Sequence, residues 1–201
     1  VIGSGGREAA ITYALNKSSK VDELYCLPGN PGMGEIATLI EGSVEDLDFI
    51  LKTVKDLNIG FTVIGPEVPL CMGLADLLES HGHKVFGPTK VAANLEGSKA
   101  FSKDFMKRHN IPTAEYVEVN DYESGLESLK DFTYPLVIKA DGLAAGKGVV
   151  ICEDEKMALK TLKEFMLDGA LNNAGSKLVI EEFLKGFECS LLCFTDGETI
   201  I

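Results

Sequence analysis

Several features that mark membrane, secreted and zinc-binding proteins are absent from this sequence. Its 201 residues include no apolar run of 18 residues and no signal peptide, so neither a membrane-spanning helix nor secretion is predicted. The cysteines are odd in number and most lie in apolar runs, which predicts buried free thiols in a reducing compartment and a cytoplasmic protein. No zinc-ligand spacing occurs among the cysteines and histidines, so no metal is expected on Cys26, Cys71, Cys152, Cys189, Cys193, His81, His83 and His109.

Positive charge is also scarce. Lys and Arg number 19 against 31 Asp and Glu, which gives a formal net charge of −12. This balance argues against a nucleic-acid backbone as partner, and an anionic substrate would need lysines placed locally. With 45% hydrophobic and 25% charged residues, the composition is ordinary for a soluble globular protein of one large or two small domains.

Both ends of the sequence lie in apolar, strand-like runs. Val1 and Ile2 open the chain without an initiator Met, and Ile200 and Ile201 close it. We therefore expect it to be a piece of a longer polypeptide.

The first 90 residues alternate between strand-like and helical patterns. Strands are indicated at residues 1–2, 23–27, 61–64 and 84–86. Helices are indicated after Glu8, after residues 43–46, which have the spacing of a helix cap, and around Leu74 to Leu78. The alternation predicts a small open parallel α/β sheet, and any ligand is expected on the loops that follow its strands.

The glycine turn after the first strand, GSGGRE at residues 3–8, has the order of a dinucleotide-binding turn. The third glycine of that fingerprint would fall at Glu8, and the second strand runs into Pro28-Gly29-Asn30 where a ribose-binding acid is expected. NAD binding is therefore disfavoured. Two interpretations remain, a phosphate at the helix N-terminus or a tight turn with close helix packing.

A second region follows a boundary at about residues 93–113. Ser98 is expected to cap a helix with Lys99 and Lys103 on one face, where two solvated lysines are the simplest interpretation. The pattern then predicts strand, helix, strand, loop, strand, helix and strand, the last at residues 177–182. Residues 188–194 also have a strand-like pattern.

The most informative segment is VIKADGLAAGKGVV at residues 137–150, a glycine-rich loop between two strands. Its glycines and two lysines, Lys139 and Lys147, suit a polyphosphate. A P-loop is disfavoured because Gly142 and Gly146 are one residue too close, and because Gly148 replaces the metal-binding hydroxyl. A flexible hairpin that is glycine-rich only because it turns is the alternative.

A third signal is the pair of acids that ends the strand at Glu181 and Glu182, followed by Phe183, Leu184 and Glu188. Backbone groups at a strand end can bind an adenine edge while a carboxylate reaches a ribose diol. A solvated strand end is the alternative interpretation.

Together these motifs resemble the first half of an ATP-grasp ligase, and within that superfamily the glycinamide ribonucleotide synthetase family. The likeness covers essentially the whole chain. It implies an N-terminal open parallel sheet of the Rossmann-like, pre-ATP-grasp type over residues 1–93. The first part of an ATP-grasp domain would follow over residues 94–201, with a small α+β lid at about 113–182. The motifs that carry the likeness, besides the three above, are LPGNPG at 27–32, IGPEVPL at 64–70, FGPT at 86–89, LEGSKAFSKDF at 95–105, IPTAEY at 111–116 and VIEEFLKGFE at 179–188.

The resemblance implies an ATP-dependent ligation of glycine to phosphoribosylamine through a glycyl phosphate, in purine biosynthesis. Lys103, or alternatively Lys99, would contact ATP phosphates together with Lys139, the expected catalytic residue. Adenine and ribose would meet Glu181, Glu182, Phe183, Leu184 and Glu188. The loop would contribute Asp141, Gly142, Ala145, Gly146, Lys147 and Gly148. Phosphoribosylamine would lie among Gly5, Gly6, Arg7, Glu8, Pro28, Gly29, Asn30, Gly65, Pro66 and Glu67.

Two departures from the family pattern affect these expectations. Ala9 stands where relatives commonly have His, so one substrate contact of the family is not expected. The family's Mg²⁺ (or Mn²⁺) ligands would lie beyond residue 201, so this chain alone is expected to bind nucleotide poorly and to be inactive. Two further hypotheses stay open: a purine or biotin-dependent ATP-grasp enzyme that uses bicarbonate or formate, and a non-catalytic nucleotide-binding module.

Overall fold

The first half of the chain forms short parallel strands with helices between them. The computed structural model describes residues 1–142, 148–170 and 175–201. Its parallel strands are β1 (Ile2–Gly3), β2 (Tyr25–Pro28), β3 (Thr38–Leu39), β4 (Thr62–Val63) and β5 (Val85–Phe86). They pair in the order β1-β2-β3 and β4-β5, and a parallel bridge between Ile2 and Ile64 joins the two groups. The predicted parallel α/β sheet is confirmed.

Six helices accompany and follow these strands. The core of this region forms where Ile50 and Leu74 pack with Ile2 and Leu27, all of them buried. Each fully buried aliphatic side chain of this kind contributes roughly 1.5–3 kcal/mol. The helices are α1 (Gly6–Asn16), α2 (Leu47–Asp56), α3 (Glu67–Met72), α4 (Leu74–Ser80), α5 (Lys90–Gly97) and α6 (Lys99–Arg108).

The helix boundaries differ from the sequence prediction in three places. Asp46, not Ser43, caps α2, because its carboxylate accepts the Phe49 N–H at 3.0 Å. The helix expected around Leu74 begins anew after Gly73, whose φ of +101° ends α3. Helix α5 was not predicted, although Thr89 caps it by accepting from the Ala92 N–H.

The second half of the chain forms an antiparallel sheet with two helices. The elements are β6 (Tyr116–Val119), α7 (Tyr122–Ser128), β7 (Leu136–Ala140), β8 (Val149–Cys152), α8 (Glu155–Met166) and β9 (Leu178–Glu182). The strands pair in the order β6-β9-β7-β8. Both helices pack on one face of the sheet, where Ile138 and Ile180 meet Leu162. The predicted succession of strand, helix, strand, loop, strand, helix and strand is confirmed.

The last nineteen residues contradict two expectations. Residues 188–194 form no strand, and in residues 183–201 the bridge between Thr195 and Ile200 is the β-pairing recorded. Cys189 and Cys193 are consequently exposed, whereas Cys26 and Cys152 are buried as predicted. Strand propensity without a neighbouring strand to pair with does not produce a strand.

Candidate functional site

Two of the predicted nucleotide residues, Lys139 and Glu181, lie on the face of the antiparallel sheet turned away from α7 and α8, called the open face here. In the register, Val137 lies opposite Glu181 and Lys139 lies opposite Val179. Because residues two apart share a face, Lys139 and Glu181 both point away from the face that packs on α7 and α8. Val149 and Ile151 of β8 flank them on the same face and stay 46% and 44% exposed. This face is therefore exposed along β8, whereas Val179 and Glu181 of β9 on the same face are buried.

One buried carboxylate joins two lysines from different elements. Oε2 of Glu181 lies 3.0 Å from the Lys103 ammonium and 2.9 Å from the Lys139 ammonium. The side chains of Glu181 and Lys103 are 5% and 7% exposed, while that of Lys139 is 28% exposed. Oε1 of Glu181 is buried and has no hydrogen-bond partner among the described residues. The cluster carries a net positive charge within an acidic chain.

The burial of Lys103 is a departure from the simplest sequence interpretation, two solvated lysines on α6. Its ammonium also donates to Oγ1 of Thr113 at 2.7 Å and to the Ala114 carbonyl at 3.3 Å. These acceptors lie in the segment that enters β6. Sequence distance conceals the contact, since Glu181 lies 78 residues further along the chain.

The root of the glycine loop is fixed to the start of α6. The Ser98 hydroxyl lies 3.1 Å from both carboxylate oxygens of Asp141, and the Ala100 N–H donates to Oδ1 at 3.1 Å. The Lys99 ammonium donates to the Gly142 carbonyl at 3.0 Å. Asp141 was predicted to bind ATP, and here its carboxylate is engaged by a helix N-terminus, which favours a negative charge.

The described ends of the loop meet each other. The Ala140 N–H donates to the Gly148 carbonyl at 2.7 Å, and Gly142 has a φ of +89°, which suits glycine. The predicted site residues Ala145, Gly146 and Lys147 lie outside the described residues. Their roles stay predictions.

The predicted adenine and ribose residues follow the end of β9. The Glu182 N–H donates to the Glu115 carbonyl at 3.0 Å. In return, the Glu182 carboxylate accepts the Glu115 N–H at 3.0 Å. Phe183, Leu184 and Glu188 come after the strand, and Leu184 is 62% exposed. The strand end is thus fixed, and the residues after it are accessible.

The predicted substrate loops of the first region also lie in contact, at the carboxyl ends of β1, β2 and β4. The Gly29 N–H donates to the Gly3 carbonyl at 3.1 Å, and the Asn30 side chain donates to the Ser4 carbonyl at 2.8 Å. The Gly65 N–H donates to the Ile2 carbonyl at 3.0 Å. Parallel strands bring the loops that follow them to one edge, and the sequence prediction used this rule.

Arg7 joins two of these loops. It lies 2.9 Å from Glu67, which follows β4, and 2.8 Å from Glu8 on its own helix. The hydrogen bond to Glu67, followed by that to Glu8, raises the pKa of Arg7 above its usual range. The same bond with Arg7 lowers the pKa of Glu67. Both groups are therefore charged at neutral pH.

Glu8 is built into the turn rather than displayed on its surface. It is 3% exposed, and its Oε2 accepts the Gly5 N–H at 2.7 Å. A Cβ at Gly3 would come within 2.6 Å of the Glu8 side chain, and a Cβ at Gly65 would overlap its carboxylate. The two glycines thus make room for this buried acid, whose role as a substrate contact stays a prediction.

Two kinds of feature are missing from the part of the chain that the structure describes. No described helix is long and apolar enough to cross a membrane. Among the same residues, no group of three His, Cys, Asp or Glu side chains is arranged to hold a metal ion.

The chain has a parallel sheet followed by an antiparallel sheet. The glycine-rich segment connects two strands of the antiparallel sheet, and Lys139 lies on the open face of that sheet. This arrangement is that of an ATP-grasp protein. Two family models together span the chain. The phosphoribosylglycinamide synthetase N domain matches residues 1–96, and the ATP-grasp (A) domain of the same synthetase matches residues 97–201. The chain belongs to the phosphoribosylglycinamide synthetase family.

Individual relatives agree with this family. The chain is 49% identical over 201 residues to phosphoribosylamine–glycine ligase of Clostridium acetobutylicum and covers 48% of it. The solved structure of phosphoribosylamine–glycine ligase from Thermotoga maritima is 34% identical, with a TM-score of 0.83, and covers 100% of this chain and 47% of that one. The chain therefore spans about half the length of these relatives.

A more distant structure shares the fold alone. N5-carboxyaminoimidazole ribonucleotide synthetase from Thermus thermophilus is 21% identical, with a TM-score of 0.70. The match covers 92% of this chain and 46% of that one.

Proposed function

We propose that the protein to which this chain belongs ligates glycine to 5-phosphoribosylamine with ATP, giving glycinamide ribonucleotide, ADP and phosphate in purine biosynthesis. The observation that carries the proposal is the placement of Lys99 and Lys139 at the root of the glycine loop in a member of this family. Lys99 contacts Gly142, the first residue of the loop, and Lys139 lies on the strand that leads into it.

The open face of the antiparallel sheet suits the phosphates of ATP. Lys139 and Lys99 bring two cations to an accessible surface, and one shared carboxylate leaves the Lys103–Lys139 pair with net positive charge. The loop from Gly142 to Gly148, including Lys147, would close over the triphosphate and exclude water. Exclusion of water protects a reactive acyl phosphate from hydrolysis.

The end of β9 suits the nucleoside. Val149 and Ile151 of β8, on the far side of β7 from β9, offer an exposed apolar surface for a flat base on the same face of the sheet. Backbone groups of residues 182–184 would bind the adenine edge with Glu181 nearby, and the Glu188 carboxylate would bind the ribose diol. A carboxylate can accept both hydroxyl protons of a diol.

The loops of the first region suit phosphoribosylamine. They present the charged pair of Arg7 and Glu67, the glycine turn at the start of α1, and Asn30. The guanidinium and the helix N-terminus would bind the phosphate, and the polar groups around them would bind the ribose.

The chemistry follows in two balanced steps. A carboxylate oxygen of glycine attacks the γ-phosphorus of ATP, the bond to ADP breaks, and glycyl phosphate forms. Lys139 and Lys99 reduce the repulsion between the two anions as they approach. The amine of phosphoribosylamine then attacks the acyl carbon, loses a proton and expels phosphate.

Mg²⁺ or Mn²⁺ is held mainly by oxygen ligands, and we propose that these ligands lie in the part of the protein that this chain does not cover. Among the described residues, no group of three His, Cys, Asp or Glu side chains is arranged to hold a metal ion. We therefore place no step of this proposal on a metal held by this chain. We also propose that residues 1–93 bind phosphoribosylamine, whereas residues 94–201 belong to the nucleotide-binding domain.

The test is the release of ADP by the whole protein, with glycine and phosphoribosylamine supplied separately and together. We expect sustained release only with both. Release that needs neither substrate, or that needs bicarbonate instead of glycine, would contradict the proposed ligation.

A further inference from the structure

We infer that Lys103 is a positioning residue that acts through Glu181, and that it keeps Lys139 available for phosphate instead of contacting phosphate itself. The inference rests on the proposed function and assigns roles within the same nucleotide site. The sequence left open whether Lys99 or Lys103 of α6 contacts the phosphates of ATP, and the inference assigns this contact to Lys99.

The hydrogen bonds of Lys103 leave no donor for a ligand. An ammonium has three N–H groups, and three acceptors surround this one: Glu181, Thr113 and Ala114. The side chain is 7% exposed. Movement of Lys103 toward a phosphate would break its contacts with all three acceptors, and leaving buried acceptors without a partner is unfavourable.

Lys99 and Lys139 are placed differently. The recorded acceptor of Lys99 is the neutral Gly142 carbonyl, which a phosphate oxygen readily replaces, since charge-assisted hydrogen bonds are stronger. Lys139 is 28% exposed and shares its acceptor, Oε2 of Glu181, with Lys103. These two ammonium groups can turn to a ligand without uncovering a buried charge that has no partner.

The shared carboxylate explains how Lys103 would act. With both lysines present, the three groups carry a net charge of +1, and Glu181 divides its attraction between two cations. Without Lys103, Glu181 and Lys139 would form a one-to-one pair of zero net charge. Lys139 would then be held more tightly and attract phosphate less. Removal of the Glu181 charge as well would return the net charge to +1.

This charge relation makes a distinctive prediction, a rescue. In the whole protein, we expect Lys103→Met to raise the Kd for ATP about tenfold, and Lys103→Met with Glu181→Gln to restore it to within about threefold of wild type. The Kd for AMP, measured beside that for ATP by calorimetry, reports any change at the adenine, so the ratio of the two Kd values isolates the effect on the β- and γ-phosphates. A folding defect would weaken the binding of ATP and of AMP alike. Lys107→Met, an exposed lysine on the same helix, is the matched control.

A direct phosphate contact predicts the opposite result. The double variant would then bind ATP at least as weakly as Lys103→Met, because Glu181→Gln cannot replace a lost contact. If Lys103→Met does not fold, the double variant still distinguishes the two roles of Lys103, because it buries no unpaired charge. An ATP affinity of the double variant near that of the wild type supports the inference. A tenfold loss of ATP affinity overturns it. Because this binding assay needs no acceptor substrate, its outcome is independent of the ligation assay above.

Discussion

Ser98 and Asp141 join the start of α6 to the root of the glycine loop, with the serine hydroxyl 3.1 Å from both carboxylate oxygens of the aspartate. Asp141 is two residues from Lys139, and Ser98 directly precedes Lys99. The contact therefore links the two elements that carry the proposed phosphate-binding lysines.

Loss of the Asp141 carboxylate should affect both stability and nucleotide binding. Asp141→Ala removes acceptors from Ser98 and the Ala100 N–H, so we expect the free energy of unfolding to fall by about 1 kcal/mol. We also expect the KM for ATP to rise by about threefold to tenfold, since the loop root is no longer held near Lys99. Urea unfolding and steady-state kinetics measure the two effects.

Asp154 provides the matched control. It caps α8 through the Met157 N–H at 2.8 Å, on the packed side of the sheet. Asp154→Ala should cost a similar ~1 kcal/mol of stability and leave the KM for ATP unchanged. An equal rise in KM for both variants would mean that Asp141 acts only through stability.

Lys139 should matter more to turnover than any exposed surface lysine. Lys139→Ala is expected to lower kcat/KM by about tenfold or more, because it removes a cation from the approach of two anions. Lys52→Ala is the control, since Lys52 pairs with Asp56 on an exposed helix face. Unchanged kinetics for Lys139→Ala would refute its phosphate role.

Gly65 should be intolerant of any side chain. In Gly65→Ala the new Cβ would overlap the Glu8 carboxylate, so we expect a loss of about 1–3 kcal/mol of stability and weaker binding of phosphoribosylamine. A Cβ at Gly60 would meet nothing within 4 Å, so Gly60→Ala should change stability by no more than about 0.5 kcal/mol. Equal effects of both substitutions in thermal unfolding would argue against the buried position of Glu8.

The ion pair of Arg7 and Glu67 should make the stability of the fold depend on pH in the acidic range. Arg7 lowers the pKa of Glu67 in the folded protein. The pair therefore stabilises the folded state at pH values above the unfolded-state pKa of Glu67. This stabilisation is lost as the pH falls through the folded-state pKa. Arg7→Ala should raise the pKa of Glu67, as measured by NMR titration of its carboxyl carbon. The Asp196 carboxyl, whose pKa is lowered by hydrogen bonds from the Thr199 and Glu198 N–H groups and not by Arg7, should keep its pKa in the same variant. An unchanged Glu67 titration would show that the pair is absent in solution.

Local rules were sufficient for most of the fold. The strand and helix periods of the sequence predicted the parallel sheet, and the carboxyl-edge rule predicted that any ligand lies on the loops after its strands. The family resemblance, not this rule, named Arg7, Asn30 and Glu67, and their role as substrate contacts stays a prediction. Ser98 was recognised as a cap because capping depends on residues three apart.

Long-range contacts account for what the sequence could not supply. Lys103 looked solvated because its helix face is polar, yet Glu181 on a distant strand buries it. Cys189 looked buried because its neighbours are apolar, but a strand also needs a pairing partner. Neither fact can be read from the period of a local segment.

The most direct test of the proposed ligation follows the carboxylate oxygen of glycine. The whole protein would be supplied with ATP, phosphoribosylamine and glycine labelled with ¹⁸O in its carboxylate, and the released phosphate analysed by mass spectrometry. Passage through glycyl phosphate predicts one ¹⁸O atom in each phosphate released. Unlabelled phosphate formed together with glycinamide ribonucleotide would contradict the account.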